Sequence, residues 1–296
     1  MTINRLKLLA WLLSLFSIVT VATPARAQNA RAKKVYMITD MEGVDGIVSS
    51  VDQCEPFKSP RWQESQKLLT DEVNSATEGL YAGGATDVVV ADLHDSSRSL
   101  SVLTVDPRVR LLEGGPLSPT LELDSSYAAV IFIGQHAMAG AEKGILNHSY
   151  SSQSIQHIWV NGKPTGEIGG RTMLAGYFNV PAIMLSGDTA ACRELDALVP
   201  EAECAEVKSG VSRTAGFLLP HSIALKLIRE KAQRAMERLG EIKPYRIAGR
   251  VEVRVEFTTP APHLFRPREG VEQVNERTWS FRGKDIVDAW LKYGDF

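Results

Sequence analysis

Ligand-type side chains follow three short apolar segments of the sequence. They are, in chain order, Asp40 and Glu42 after residues 35–39, Asp92 and His94 after residues 87–91, and His136 after residues 128–133. Residues i and i+2 of an extended chain point the same way, so each pair can present two ligands together. Carboxylates mixed with imidazoles suit zinc and, less often, manganese or cobalt. Their convergence predicts a metal site.

A cluster that is rich in carboxylates favours two metal ions over one. A carboxylate can bridge two ions, and two cations offset several buried negative charges that would otherwise repel one another. The expected chemistry of such a centre is hydrolysis. Each pair taken alone is more typical of a turn or a helix cap than of a metal site, so the prediction depends on convergence at one place.

Other catalytic and cofactor-binding patterns are missing from the sequence. There is no Gly-x-Ser-x-Gly nucleophile turn, no Gly-x-x-x-x-Gly-Lys phosphate loop, no Gly-x-Gly-x-x-Gly after a strand and no His-Glu-x-x-His. These absences disfavour serine hydrolases, nucleotide-dependent enzymes and the zinc proteases that use the last pattern.

The remaining histidines and acids have weaker signals. His148 lies in a polar loop after the third strand, where it is either a surface residue or an acid/base group. Three histidines are interpreted as structural or solvent-facing, namely His157, His221 and His263. Four acids either hold ligand imidazoles through hydrogen bonds or occupy turns, namely Asp45, Asp92, Asp95 and Asp188.

The elements that must position these residues follow a βαβ pattern. Residues 35–39 and 87–91 predict buried strands. Apolar residues at helical spacing predict a helix between them, with Ser59 as its cap, Pro60 in its first turn and glycines 83 and 84 at its exit. A right-handed crossover brings the carboxyl ends of parallel strands to one edge of a sheet, so we expect the ligand-type residues to meet there.

The rest of the chain continues the alternation of helices and strands. Residues 157–160 and 181–185 predict strands, and the glycine-rich stretch 166–170 predicts a helix start, where the helix dipole favours the acid Glu167. From about residue 207 the patterns predict a long amphipathic helix, an alternating strand and a short helix, at residues 221–239, 245–257 and 285–293. The predicted fold class is α/β, with a mostly parallel sheet built from βαβ units and a smaller C-terminal α+β lobe.

The N-terminus has the three parts of a secretory signal peptide. Arg5 and Lys7 precede an apolar run over residues 8–22, and a small-x-small cleavage pattern follows at residues 25–27. The run is shorter than the roughly 20 residues that span a bilayer, which favours cleavage over a membrane anchor. We therefore expect a signal peptide at residues 1–27 and a periplasmic or secreted catalytic body at residues 28–296.

Charge and cysteine content exclude further functions for the mature protein. Removal of residues 1–27 takes away three basic residues and no acids, so the formal net charge falls from -2 to -5, which argues against nucleic acid as a partner. Three cysteines are too few and too scattered for a zinc ribbon. Cys192 and Cys204 either form a disulfide in an oxidising compartment or are buried thiols, and the sequence leaves both interpretations open.

The ordered set of short motifs resembles the zinc D-aminopeptidase family. The motifs are Asp40-Met41-Glu42-Gly43, Asp92-Leu93-His94, Gly134-Gln135-His136-Ala137, Asn147-His148-Ser149 and Gly166-Glu167-Ile168-Gly169. Further similarity at residues 175–181, 186–188 and 208–213 extends the resemblance over nearly the whole mature chain.

The resemblance implies a centre of two zinc ions per protomer. The implied ligands are Asp40 as a bridge, Glu42 and His94 at one ion, and His136 and Glu167 at the other. His148 falls at the position of the family's proposed catalytic histidine, as a general base or as a nucleophile. The family also implies a ring-stacked decamer with active sites on an internal channel, which would restrict substrates to short peptides. The activity that the resemblance implies is release of an N-terminal D-amino acid, with D-Ala-D-Ala among the substrates.

Two departures from the family pattern bear on the substrate. The family has Gly-Ile-Ser-Gly where this chain has Gly43-Val44-Asp45-Gly46, and the family's type member is cytoplasmic whereas this chain has an export signal. Asp45 is expected to meet a substrate ammonium or to support a metal ligand, and Asp92 and Asn147 are expected to have similar supporting roles. The alternative functions are a metal-dependent amidase or esterase of other specificity, and an exported metal- or peptide-binding protein without turnover.

The export signal makes a direct prediction about the mature protein. Cleavage after Ala27 leaves a chain that begins at Gln28. Intact-mass measurement of protein recovered from the periplasm or medium checks this. A species that keeps residues 1–27 would instead indicate an anchored form.

Overall fold

Strands and helices alternate along most of the chain in the computed structural model, which describes residues 32–95 and 97–294. The strands are β1 (Lys34–Thr39), β2 (Asp87–Asp92), β3 (Val109–Leu112), β4 (Ala129–Gln135), β5 (Ile155–Val160), β6 (Lys163–Pro164), β7 (Ala182–Asp188), β8 (Glu203–Ser212), β9 (Ala215–Leu218), β10 (Val251–Phe257), β11 (Val271–Gln273) and β12 (Thr278–Gly283). The helices are α1 (Ser50–Gln53), α2 (Trp62–Ala82), α3 (Glu167–Tyr177), α4 (Thr189–Asp196), α5 (His221–Glu237) and α6 (Ile286–Tyr293). Within the described ranges, no helix combines the length and apolar character needed to cross a membrane.

The larger sheet has seven strands in the order β3-β2-β1-β4-β7-β8-β9, and all pairs are parallel except β8 with β9. The chain leaves β1 toward β2 and β3 on one side and then returns to β4 on the other side. This reversal is a topological switch point, the place where ligands bind beyond the carboxyl ends of parallel strands. The predicted α/β fold with a mostly parallel sheet is confirmed.

The central strands of this sheet are buried along their length. β4 and β7 are buried at every residue, and β1 and β2 are buried after their first residue. Such near-continuous apolar strands are typical of parallel sheets covered on both faces. The helices α2 and α5 pack against each other and against this sheet. A Cβ at Gly79 of α2 would lie 2.2 Å from the carbonyl oxygen of Arg229, so glycine allows this close crossing.

The smaller lobe is a five-stranded sheet with the order β11-β12-β10-β5-β6, and every pair in it is antiparallel. Helix α6 packs on β12 and β10, where Trp279, Phe281 and Trp290 are fully buried. The expected start of the lobe near residue 207 lies inside β8, which pairs with β7 in the larger sheet. Because β10 pairs with β5, the lobe combines residues from Val251 onward with β5 and β6 from the middle of the chain.

Two element boundaries differ from the sequence-based expectation. Helix α2 begins at Trp62 and has no side-chain cap, because the Ser59 hydroxyl accepts from the Glu55 amide and donates to the Val51 carbonyl. Strand β10 begins at Val251, because the backbone of Tyr245 and Arg246 lies against Gly176 of α3 instead of joining the sheet.

A disulfide joins helix α4 to strand β8. Cys192 and Cys204 are bonded, with their Cα atoms 5.8 Å apart, whereas Cys54 is a buried free thiol. The structure thus selects the first of the two interpretations that the sequence left open.

Candidate metal centre

The five predicted metal ligands meet at the switch point of the larger sheet. Asp40 and Glu42 lie just past β1, His94 past β2, His136 directly past β4, and Glu167 at the first position of α3. Each of the five is at most 8% exposed. The convergence that the sequence predicted is therefore present, and it is buried.

The first group of ligand atoms comes from the ends of β1 and β2. Nδ1 of His94 lies 3.1 Å from Oδ1 of Asp40 and 3.1 Å from Oε2 of Glu42. On the far side of the ring, Nε2 of His94 lies 2.8 Å from the Cys54 carbonyl oxygen. A carbonyl only accepts, so Nε2 carries the hydrogen and Nδ1 presents its lone pair to the group, as metal-bound histidines do.

The second group lies on the other side of Asp40. Nε2 of His136 lies 3.3 Å from Oδ2 of Asp40 and 3.2 Å from Oε1 of Glu167. Nδ1 of His136 donates to the Ala137 carbonyl at 2.9 Å, which leaves the Nε2 lone pair for a ligand. Asp40 therefore faces one group with each of its carboxylate oxygens.

The donor set fits divalent zinc. Oε2 of Glu42 and Nε2 of His136 are buried without a hydrogen-bond partner among the described residues, and such orphaned atoms are costly unless a cation meets them. Four-coordinate nitrogen and oxygen ligation is typical of zinc. A group of three carboxylates with two neutral imidazoles also carries enough negative charge for two ions.

The pKa shifts in the cluster also favour binding of a metal cation. Burial disfavours the charged form of both imidazoles, but the nearby Glu42 and Asp40 raise the pKa of His94 well above its ordinary value, and Glu167 and Asp40 do the same to the pKa of His136. Burial likewise opposes ionisation of Glu167, yet Arg171 and His136 lower its pKa to about 2. A field that draws protons onto imidazoles also draws metal cations, which replace those protons.

His148 lies beside the second group. Its ring stacks on the ring of His136, with centroids 4.0 Å apart and planes inclined by 15°. Nδ1 of His148 donates to the Leu146 carbonyl at 2.9 Å, and Nε2 lies 3.9 Å from Oε1 of Glu167. The tautomer set by Leu146 leaves Nε2 able to accept a proton. Its ligand-type atom also lies close enough to His136 and Glu167 for metal binding.

The loop after β1 is held by a buried lysine that the sequence analysis gave no role. The Lys208 ammonium donates to the carbonyl oxygens of Glu42, Val44 and Ile47, each at 2.7 Å. Burial lowers the pKa of Lys208 to about 8. Within the same loop, a Cβ at Gly43 would lie 2.1 Å from the Gln135 carbonyl oxygen, so only glycine lets this loop cross the end of β4.

Asp45 points away from the predicted ligands. Its side chain is 1% exposed, and Oδ2 lies 2.8 Å from Nδ1 of His221 at the start of α5. Nε2 of the same histidine lies 3.1 Å from Oδ2 of Asp71. The structure therefore places Asp45 in a pair that ties the loop to α5, not beside a substrate, and it gives His221 a specific partner.

The other expected supporting residues hold the backbone. Asp92 accepts from the amides of Ser99 and Leu100, and Asn147 donates to the Ala141 carbonyl. Asp188 caps α4 by accepting from the Ala191 amide and also accepts from the Ile145 amide. Asp92 and Asp188 therefore occupy a turn and a helix cap and do not hydrogen-bond to the predicted ligand imidazoles.

Two further buried residues contact the ligands. Gln135 donates from Nε2 to Oδ2 of Asp40 at 2.7 Å, and Arg171 lies 3.0 Å from Oε2 of Glu167. Gln135 stands in the motif that includes His136, and Arg171 lies one helical turn after Glu167, which is the only sequence signal that either residue offers.

A cavity of about 600 Å3 opens onto the centre. Its floor includes Asp40, Glu42, His94, His148 and Glu167. Its walls come from the segment 114–121 and from α6 and the residue after it, at Trp290, Leu291 and Gly294. The volume suits a small ligand.

An α/β sheet with a buried carboxylate and imidazole centre under a small cavity defines a class of metal-dependent hydrolases. The chain matches the model of the peptidase M55 family, described as D-aminopeptidase, over residues 33–292. It therefore belongs to that family and is a peptidase.

Two related proteins agree with this assignment. The chain is 30% identical over 261 residues to the D-aminopeptidase of Bacillus subtilis strain 168, which covers 87% of this chain and 94% of the relative. The structure of this chain is similar to that of the Zn-dependent D-aminopeptidase DppA from Bacillus subtilis, a self-compartmentalizing protease. The TM-score is 0.81, and the two chains are 28% identical over 88% of this chain and 95% of that one.

The ion pair of His221 makes stability depend on pH. Burial lowers the pKa of His221, but Asp45 and Asp71 outweigh that effect and raise it above the ordinary value, and Lys67 in turn pairs with Asp71. A raised folded-state pKa stabilises the protein fully below the unfolded pKa of about 6.5, and this stability is lost as the pH rises through the folded value.

His221→Asn should therefore lower the free energy of unfolding more at about pH 6 than at about pH 9. The difference should be no more than about 1 kcal/mol because the pair is partly exposed. Denaturant unfolding at both pH values measures it, with His157→Asn on β5 as the control. An equal loss at both pH values would contradict the ion pair.

Proposed function

We propose that the protein is a two-zinc aminopeptidase that hydrolyses short peptides with an N-terminal D-amino acid, D-Ala-D-Ala among them. The observation that carries the proposal is that two buried ligand groups share Asp40, with Oδ1 toward His94 and Oδ2 toward His136. Membership of a family described as D-aminopeptidase and a Zn-dependent relative support it.

The chain's own residues have distinct roles in this proposal. Asp40, Glu42, His94, His136 and Glu167 would hold the two ions, which when bound would polarise the scissile carbonyl and acidify a water. His148 accepts a proton at Nε2 and returns it to the leaving nitrogen, since its Nδ1–H is fixed on Leu146. The buried floor excludes bulk water from these groups.

The substrate ammonium requires a carboxylate in the cavity. Asp45, the residue expected from the sequence, is paired with His221 and does not line the cavity. Asp95 does line it, with a side chain 60% exposed, and it is the lining acid outside the five-residue ligand set among the described residues. A bond from an ammonium to a carboxylate as exposed as Asp95 is worth about 0.2 to 1 kcal/mol, which is up to about a fivefold preference if one enantiomer alone can reach it.

Assembly and location extend the proposal. A relative described as self-compartmentalizing supports a homo-oligomer, for which the family resemblance suggests a decamer. The signal-peptide pattern at residues 1–27, which lies outside the described residues, supports a periplasmic or secreted enzyme. Enclosed active sites would restrict substrates to short peptides.

The stereochemical preference is the most specific consequence. We expect kcat/KM for D-Ala p-nitroanilide to exceed that for the L-isomer by up to about fivefold, because the zinc pair itself has no handedness and the ammonium contact selects the enantiomer. Steady-state kinetics of the zinc-loaded protein measure both values. The Asp40→Ala variant, which removes the shared ligand, is the control for contaminating activity.

The other outcomes separate the rival functions. An equal or L-favouring ratio would retain a metal-dependent peptidase and reject D-specificity. Hydrolysis of esters or other amides without cleavage of D-alanyl substrates would indicate the amidase or esterase alternative. Zinc or peptide binding without any turnover would indicate a binding protein.

His148 is predicted to move protons without holding metal. His148→Ala should keep two zinc ions, while kcat falls by roughly 100-fold or more, the scale of general acid/base catalysis. Metal analysis and kinetics of the same preparation test both parts, with His157→Ala as the matched control on β5. Loss of zinc would make His148 a ligand together with His136 and Glu167, and an unchanged kcat would remove it from the mechanism.

A further inference from the structure

Two buried polar side chains outside the predicted ligand set link the carboxylates of Asp40 and Glu167. Arg171 is 5% exposed and Gln135 is fully buried. NH1 of Arg171 donates to Oε1 of Gln135 at 3.2 Å and lies 3.0 Å from Oε2 of Glu167. Nε2 of Gln135 donates in turn to Oδ2 of Asp40 at 2.7 Å. One guanidinium nitrogen therefore acts on two carboxylates of the second group, on Glu167 directly and on Asp40 through Gln135.

The orientation of the Gln135 amide is decided by Arg171 and Asp40 together. An amide can present either its oxygen or its NH2 group to a neighbour. Because the Arg171 guanidinium only donates, it holds Oε1 of Gln135 on its own side and turns Nε2 toward Asp40. With the opposite orientation, two oxygens would face each other at Asp40 and two donors at Arg171.

These contacts fix the orientations of the Asp40 and Glu167 carboxylates. Asp40 accepts from the Met41 amide at Oδ1, at 2.8 Å, and from Gln135 at Oδ2, so each oxygen keeps a second lone pair for one metal site. In Glu167 the contact from Arg171 occupies Oε2 and leaves Oε1 beside His136. Rotation of either carboxylate would break these hydrogen bonds.

We propose that Gln135 and Arg171 are positioning residues of the metal centre, which orient Asp40 to face both ions and Glu167 to face one. This inference rests on the proposed two-zinc function. A positioning role and a purely electrostatic role of Arg171 predict opposite changes in zinc affinity when the residue is removed. Arg171 is a cation that repels metal ions, so its charge alone predicts tighter zinc binding when it is removed, whereas positioning predicts weaker binding.

Zinc affinity of the metal-free protein is the test. Gln135→Met keeps the length of the side chain and removes the amide, and Arg171→Met removes the guanidinium. Titration against a chromophoric chelator should show at least one of the two zinc ions bound roughly 10- to 100-fold more weakly in each variant than in the wild type. Arg171→Lys retains a charged donor and should recover part of the loss.

The double variant and a packing control sharpen the interpretation. The Gln135→Met/Arg171→Met variant should lose less affinity than the sum of the two single losses, because the two residues act on Asp40 through one chain of hydrogen bonds. Met173→Ala, a buried change on the same helix, should lower Tm and leave zinc affinity unchanged.

Unchanged or tighter zinc binding in both single variants overturns the inference. A wild-type protein with fewer than two zinc ions refutes the proposed function itself, so the two failures are distinguishable.

Discussion

The repulsion among three buried carboxylates is the constraint on which the rest of the structure depends. Asp40, Glu42 and Glu167 are each at most 8% exposed. Two like charges 4 Å apart repel by about 4 kcal/mol at an effective dielectric constant of 20, so a cluster of this kind persists only beside cations. Positive charge comes from His94 and His136, whose pKa values are raised, and from Arg171, which pairs with Glu167. When a metal cation replaces the proton, the same imidazoles would present a lone pair from Nδ1 of His94 and from Nε2 of His136, because their other ring nitrogens donate to backbone carbonyls.

The fold holds this cluster together from outside the ligand set. The switch point between β1 and β4 brings Asp40 beside His136, and α3 adds Glu167 from its first turn. Lys208 fixes the loop that carries Glu42 through three carbonyl oxygens. Because these supports are buried and made by the chain itself, the ligands do not have to be ordered when an ion arrives, which lowers the entropic cost of binding.

The sequence predicted well that the ligand-type residues lie together and predicted poorly which residues support them, for a physical reason. Strand periodicity places Asp40 and His94 at one sheet edge, and this relation depends only on chain direction. The role of Lys208 depends on where three carbonyl oxygens lie in a loop more than 160 residues earlier, which no local pattern encodes. Asp45 is expected from its closeness to the predicted ligands to meet a substrate ammonium or to support a metal ligand, but its side chain pairs with His221 instead. The Ser59 cap failed for a similar reason, since its hydroxyl has partners elsewhere.

The most direct test of the account is anomalous diffraction at the zinc edge from crystals of the zinc-loaded protein. The account predicts two peaks roughly 3.5 to 4 Å apart, as in other two-metal hydrolytic sites, one beside Glu42 and His94 and one beside His136 and Glu167, with Asp40 between them. A single peak, or a second peak bound by His148 and out of reach of Asp40, would contradict it.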